Sequence, residues 1–456
     1  MQLPKKTLRY YYWLISAFIK KNLKMLILSF FLTFVFVIAF ISISPYIQTL
    51  FLTKTTIIGL VGKYNYANLP EEITNKISNG LTYVNEKGEI IPALASSWEV
   101  SSDNKIYTFH LKNNLLWNNG KKFVAKEMTY KFKDIQTKVL SDTAVRFTLK
   151  NTLGIFPAFL TRPVIEYPLN GVAGMYKADK IKTKNEVIKE IYLSPNQKGL
   201  SAIIYKFYND EKQLISAYKL GEINEFRTNK KSQAEIFKQR KNTTVSESVD
   251  YSKLMTLFFN ISSPQLKSKD VRQALVSAID PKLFADLGEV AIGSIPPNSW
   301  AYNIKLKNTV YDKDEAEKVL KKNIEQDKKT QFAISTYYDY SDIAESIAKE
   351  YKNIGFPAEV NYQTYDLGQF DLFLAYWNVP TDPDQYYYWH TTQTPPKGGN
   401  IANYTNVKID QLLEDGRNTM DKNQRKAIYY DFQRRIVDDP PAAFLYYPYV
   451  YTIKRK

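Results

Sequence analysis

The sequence predicts an α/β protein of two or more lobes, preceded by a helix able to span a membrane. In the second half, capped helical periods alternate with short β-branched strands, the pattern of helices packed on a mixed sheet. The chain has 456 residues, 44% hydrophobic and 24% charged, which is more than one compact core usually holds. Met25 to Ser44 is 20 residues without a charge. At ~1.5 Å per residue that makes about 30 Å of helix, the thickness of a bilayer core.

Upstream of this stretch lie Lys5, Lys6, Arg9, Lys20, Lys21 and Lys24 with no acid among them, so the positive-inside bias keeps the N-terminus in the cytoplasm and places everything after Pro45 outside. A cleaved signal peptide is the competing reading, with Ser42 and Ser44 at a cleavage offset, but the apolar stretch exceeds a signal core and no Ala-x-Ala follows. Tyr10, Tyr11, Tyr12 and Trp13 suit the headgroup layer. The chain has no cysteine, which excludes disulfides, thiolate metal sites and a lipid-modified cysteine. Its net charge of +16 is not a nucleic-acid signature: without the six basic residues before the anchor, 56 Lys and Arg face 46 Asp and Glu, and the excess is spread.

Thr55 to Val61 is β-branched and apolar and reads as a buried strand after a connector around Gln48 to Thr53. Ile106 to Lys112 alternates, with Tyr107, Phe109 and Leu111 on one face; Asn119-Gly120 predicts a tight turn, and Val145, Phe147 and Leu149 repeat the period of two. Helices follow Ser268, the Asp312 and Glu315 capping box, Ser341 (closed by Gly355), and Asp421 with Gln424, the last stopped by Pro440 and Pro441. Strands fit Leu254 to Asn260, Gln331 to Ser335, Ala358 to Tyr362, Leu372 to Tyr376 and Phe444 to Tyr447.

Pro92 to Glu99 (PALASSWE), then Tyr107-Thr108-Phe109-His110-Leu111 and Trp117, Asn119, Gly120 and Phe123, resemble the opening signature of the extracellular solute-binding proteins, family 5, of peptide and nickel importers. Further blocks keep the family's order: Phe259-Asn260 with Val271 to Leu275 and Ala278 to Asp280; Ile295-Pro296-Pro297 with Tyr311-Asp312; then Gly355-Phe356, Phe370-Asp371, Trp377, Asp382-Pro383, Asn400, Tyr404 and Asp410. The resemblance implies a two-lobed, periplasmic-binding-protein-like fold of the peptide-binding type. It also implies a peptide or other small solute enclosed by hinge closure and handed to the permease and ATPase subunits of an ABC transporter. Two departures stand out. Only about a dozen residues separate Tyr130 from Ala144, so the first lobe's accessory subdomain is cut down and a shallower or more open pocket is expected. Relatives hold a peptide's amine with an aspartate a few residues after the tryptophan, whereas Trp377-Asn378-Val379-Pro380-Thr381 carries no acid before Asp382-Pro383.

These readings divide the chain into a cytoplasmic basic segment (1–24), a transmembrane helix (25–45), a linker (46–55), a first lobe (56–248), a second lobe (249–432) and a C-terminal segment returning toward the first lobe (433–456).

The stretch Trp377 to His390, WNVPTDPDQYYYWH, is the foremost candidate site, since Pro380 and Pro383 oppose regular structure and aromatic faces give contact area at low entropic cost. Trp377, Tyr386 and Trp389 would supply rings, and Asp382 or Asp384 would accept hydrogen bonds from a ligand ammonium. Core packing for Trp377 and turn capping for Asp382 are the alternatives. Tyr64 and Tyr66 follow the first strand, where open sheets place ligand contacts. Asn400 and Tyr404, after Gly398-Gly399, would pair with an extended peptide or simply form a solvent loop. Arg272 reads as structural, with an acid partner in its own lobe.

His110 and His390 are the only imidazoles and lie far apart, which opposes a nickel or zinc site. No Gly-x-Ser-x-Gly elbow exists, and the reading is a binding protein, not an enzyme, with no cofactor. An anchored ligand sensor or surface scaffold of the same fold is the alternative function.

Overall fold

The computed structural model describes residues 8–52, 55–85, 87–323, 332–363 and 370–456. Lys5, Lys6, Gln331 and part of the expected linker therefore lie outside the described residues. A single α-helix, Leu8–Leu52, carries the N-terminal segment. Its stretch Arg9–Ser42 is long and apolar enough to cross a membrane, and its most apolar window is exposed. The helix runs on past Ser44 through positions expected to be linker.

The first lobe starts with Thr56–Val61, which lies parallel to both Ile203–Tyr208 and Glu225–Thr228. Val187–Pro195 and Tyr176–Lys184 extend this sheet antiparallel on the far side of Ile203–Tyr208. A separate four-stranded antiparallel sheet, in the order Ala95–Val100, Ile106–Leu111, Ala144–Leu149, Ile135–Ser141, forms the small accessory layer. Its alternation is visible in burial: Tyr107, Phe109, Val145 and Phe147 are sealed inside, packed on Phe156. Gly120 turns at φ +85°, as the Asn-Gly pair requires.

In the second lobe, Lys253–Phe259 pairs antiparallel with Leu372–Asn378, and Phe332–Tyr337 runs parallel to both Leu372–Asn378 and Ala358–Gln363. Lys253–Phe259 and Leu372–Asn378 read as nearly continuous apolar runs because both faces are covered, whereas Ala358–Gln363, at the sheet's edge, stays half-exposed. Met255, Leu257, Ile334 and Leu374 meet the helices Lys269–Ser277 and Ser341–Asn353 on one side. Leu254, Phe258 and Trp377 meet Val407–Asn418 and Lys422–Asp438 on the other. Asp312 Oδ1 accepts from Glu315 N at 2.9 Å and Asp421 Oδ1 from Gln424 N at 2.8 Å, so both expected caps form. Gly355 sits at φ +83° beyond the helix it was expected to close. Ser268 holds a cap position without a side-chain bond, and Ser341 is already helical, with Tyr340 before it.

The C-terminal strand is Ala442–Arg455, far longer than the four residues expected. Residues 442–448 pair with Lys253–Phe259 and Gly288–Val290 of the second lobe. Residues 449–455 pair with Glu225–Thr228 and Thr243–Val249 of the first. The aromatic and β-branched run from Phe444 to Ile453 suits a strand throughout, and Pro448 fits where the pairing changes hands because its carbonyl still accepts from Asp250 N at 2.9 Å. The helix Lys422–Asp438 belongs wholly to the second lobe, so the return toward the first lobe begins with this strand and not at residue 433.

Candidate functional site

The two lobes face one another across a cleft in which described residues line two adjoining cavities. The larger, about 460 Å³, has Asn85 and Lys87 of the first lobe on one wall, with Trp300, Val379 and Thr381 of the second on the other; Tyr251 and Ser252 close it where the chain crosses between lobes. The smaller, about 200 Å³, lies between Trp98 and Ile155 of the first lobe and Met420, Lys422 and Arg425 of the second. Gly88 and Trp300 border both.

A tight turn supplies the first lobe's wall. Asn85 Oδ1 accepts from the backbone of Lys87 and Glu89, both at 2.9 Å, and Asn85 Nδ2 donates to Glu89 at 2.8 Å. This hydrogen bond, helped by Lys422 and Lys87, holds the Glu89 carboxyl below its usual range. Lys422 of the opposite lobe donates to the Lys87 carbonyl at 2.6 Å and lies 3.7 Å from Glu89. Gly88 has φ +71°, and a Cβ there would fall 2.2 Å from Trp300 Cδ1, so only glycine lets the indole approach. Further out, Ile155 N donates to the Arg417 carbonyl at 3.1 Å, a second direct contact between lobes. Tyr251 donates to Glu289 at 2.9 Å; burial and then this acid push its phenol up to about 12, keeping it a proton donor.

The stretch after Trp377 forms part of the second lobe's wall, with more regular structure than its prolines suggested. The strand continues through Trp377 to Asn378, and Tyr386–Trp389 makes one helical turn, leaving only the segment between them irregular. Val379 N donates to Ser252 O at 2.8 Å, which fixes the start of that segment against the crossing point.

The candidate residues divide sharply. Asp382 lines the smaller cavity, but its carboxylate is held by Arg425 at 2.7 and 3.2 Å. Asp384 is buried, bonded to Arg417 Nε at 2.9 Å and Tyr386 N at 3.1 Å; burial pushes its carboxyl up, against the pull of Arg417. Neither is free to receive a ligand ammonium. Tyr386 lies between the Arg417 guanidinium and the His390 ring, each 4.0 Å from its centroid. Trp377 is buried against Tyr388 and Trp389. Trp389, Asn400 and Tyr404 are fully enclosed: Trp389 donates to Gln385, Asn400 ties the His390 and Tyr404 carbonyls, and Tyr404 donates to Asp439. In this conformation these three support the wall from behind. Asp439 also pairs with Arg272, the same-lobe partner expected for that arginine. Tyr64 and Tyr66 pack on Phe207 and Tyr167 inside the first lobe and line neither cavity. Lys87, Gly88, Tyr251, Trp300 and Lys422 were not singled out by sequence; only the Asn85-to-Gly88 turn pattern and the Pro296-Pro297 block before Trp300 hinted at them. Among the described residues no group of three His, Cys, Asp or Glu side chains is placed to hold a metal ion.

Two α/β lobes with a walled cleft between them, joined by crossing strands, define a solute-binding protein. The chain belongs to the bacterial extracellular solute-binding proteins, family 5, whose middle region matches residues 89–399. The di/tripeptide-binding protein 1 of Pseudomonas aeruginosa is 22% identical over 83% of this chain and 85% of its own length. The oligopeptide-binding protein AppA of Bacillus subtilis is 28% identical over 55% and 51%. Among solved structures, NikZ from Campylobacter jejuni in complex with Ni(L-His) superposes with a TM-score of 0.73 at 25% identity, covering 89% of this chain and 94% of that one. AppA from Bacillus subtilis in complex with a nonapeptide gives 0.69 at 22%, covering 88% and 94%.

Two substitutions test this wall. Arg425→Ala strands the Asp382 carboxylate and is expected to cost about 3–5 kcal/mol of stability in urea unfolding; a loss within error would show that the pair frames nothing. Gly88→Val drives a branched side chain into Trp300 and is expected to hold the lobes apart, enlarging the radius of gyration in small-angle scattering, and to lower the melting temperature because valine is strained at φ +71°. An unaltered radius would contradict the close approach.

Proposed function

We propose that this chain is an extracytoplasmic solute-binding protein, held on the membrane by its N-terminal helix, that captures a peptide-like solute between its lobes and passes it to the permease of an ABC importer. The observation that carries this reading is the larger cavity, walled by Asn85 and Lys87 from one lobe and by Trp300, Val379 and Thr381 from the other. A site assembled from two bodies exists only when they are closed. A ligand filling it therefore favours the closed form by its differential affinity, and a permease reading closed lobes receives loaded protein only. The peptide-binding names of relatives that match across most of the chain support a peptide-like cargo. The exposed apolar helix, with Arg9, Lys20, Lys21 and Lys24 toward its start, supports attachment with the basic end inside.

The full chain in detergent is expected to rise in melting temperature with members of a broad library of two- to nine-residue peptides. A ligand at 100 times its Kd contributes about 2.7 kcal/mol. The same peptides should appear by mass spectrometry in material released from the purified protein. A library that shifts nothing, with no small molecule released, would sink the reading.

A further inference from the structure

We infer that the end of the first lobe where the chain leaves its N-terminal helix is a docking face for anionic lipid headgroups, so that the lobe lies on the membrane and does not swing freely on its tether; this rests on the membrane attachment proposed above. The strands bring one end of the sheet to that exit. Thr56–Val61, Ile203–Tyr208 and Glu225–Thr228 run the same way, with Ile203 opposite Thr56 and Glu225 opposite Ile58. Ala442–Arg455 is antiparallel to Glu225–Thr228 and to Thr243–Val249, so Lys454 and Arg455 arrive at the same end, opposite Glu225 and Thr243. Hydrogen bonds knit the exit into this face. Asn224 donates to the Thr55 carbonyl at 3.2 Å and accepts from Ile57 N at 2.8 Å, while its own carbonyl accepts from Arg455 N at 2.8 Å. The Arg455 guanidinium donates at 2.5 Å to the Tyr218 carbonyl, in the last turn of the helix Glu211–Leu220. Lys456 N donates to the Asn242 carbonyl at 3.0 Å.

The turns at this end, residues 195–202, 219–225, 238–243 and 454–456, hold eight Lys and Arg against two Glu. Glu225 is paired with Lys454, and Lys238 with Glu235 of its own helix, which leaves Glu222 as the exposed acid of these turns. Lys198, Lys219, Arg240, Lys241 and Lys456 are exposed, and none has an ion-pair partner among the described residues; Arg240 rests on the Phe237 ring. Residues 43–54, which lead into this face, contain no acid. Leu220, 76% exposed beside Lys219, adds an apolar side chain that a headgroup layer accepts.

The tether keeps this face close to the bilayer. With the apolar span filling the core, the eight helical residues from Pro45 to Leu52 extend at most about 12 Å beyond it, against some 5–7 Å of headgroup layer per leaflet. Three residues separate Leu52 from Thr56, a reach of no more than about 14 Å. The face is thus held within about 20 Å of the headgroups, and so short a tether gives it a high effective concentration there. Each basic residue that reaches an anionic surface strengthens adherence about fivefold, over a range of about 8 Å at physiological salt.

The test uses the full chain in lipid nanodiscs, with a fluorophore on Gln197→Cys, an exposed position in this face, and acceptor dyes on the headgroups. Asn229→Cys, exposed at the opposite end of the sheet, is the reference. Energy transfer from position 197 is expected to be about twofold or more higher in discs with about one-third phosphatidylglycerol than in phosphatidylcholine alone, and to return to the neutral value at about 0.5 M salt. Transfer from position 229 should change little. The combined variant Lys198→Gln, Lys219→Gln, Lys241→Gln and Lys456→Gln should remove the lipid dependence while leaving the melting temperature unaltered, since these side chains are exposed. Transfer from position 197 that ignores lipid charge, or a lipid dependence that persists in the variant, overturns docking while the anchor stands. A chain that does not float with neutral vesicles at high salt loses the anchor and the docking together.

Discussion

Two sheets share one strand, Ala442–Arg455, and most of the molecule's behaviour follows from that sharing. Its first half completes the second lobe's sheet and its second half the first lobe's, so the lobes cannot separate without breaking backbone hydrogen bonds. The pairing changes hands near Pro448. Ser252 stands beside this point, lines the larger cavity, and bonds to the segment after Trp377.

The wall is stiff on the second lobe's side for a different reason. Asp382 with Arg425, Asp384 with Arg417, and Arg417 over the Tyr386 ring fix an otherwise irregular segment through charged groups that are mostly out of water. Such pairs gain little net stability over apolar packing, but losing one partner is costly, so they specify a conformation. Trp377, Trp389 and Tyr404 fill the space behind. The first lobe instead contributes a small turn whose shape depends on Asn85 and on a glycine with positive φ. Contacts between the lobes include Lys422 on the Lys87 carbonyl, Ile155 N on the Arg417 carbonyl, the Lys231–Asp286 ion pair and Trp300 over Gly88.

Much of the fold was legible because local rules and burial agreed. Asp312 and Asp421 capped as their spacing indicated, and Tyr107, Phe109, Val145 and Phe147 turned inward on a period of two. The site was less legible. An aromatic-rich segment reads the same whether its rings meet a ligand or a core, and burial alone distinguishes Trp389 from Trp300. Asp382 looks like a free acid until Arg425, 43 residues later, is brought beside it by the packing of Lys422–Asp438. The length of the last strand was hidden too, since its partners come from both lobes and no local pattern announces a change of sheet at Pro448.

Two bodies joined at this strand are proposed to close around a solute. The native chain has no cysteine, so a pair of spin labels at Lys121→Cys and Lys408→Cys, exposed positions on opposite lobes, reports one distance without interference. A saturating peptide that raises the melting temperature is predicted to shorten and narrow the distribution between them. A distribution that stays the same with and without that peptide would contradict closure.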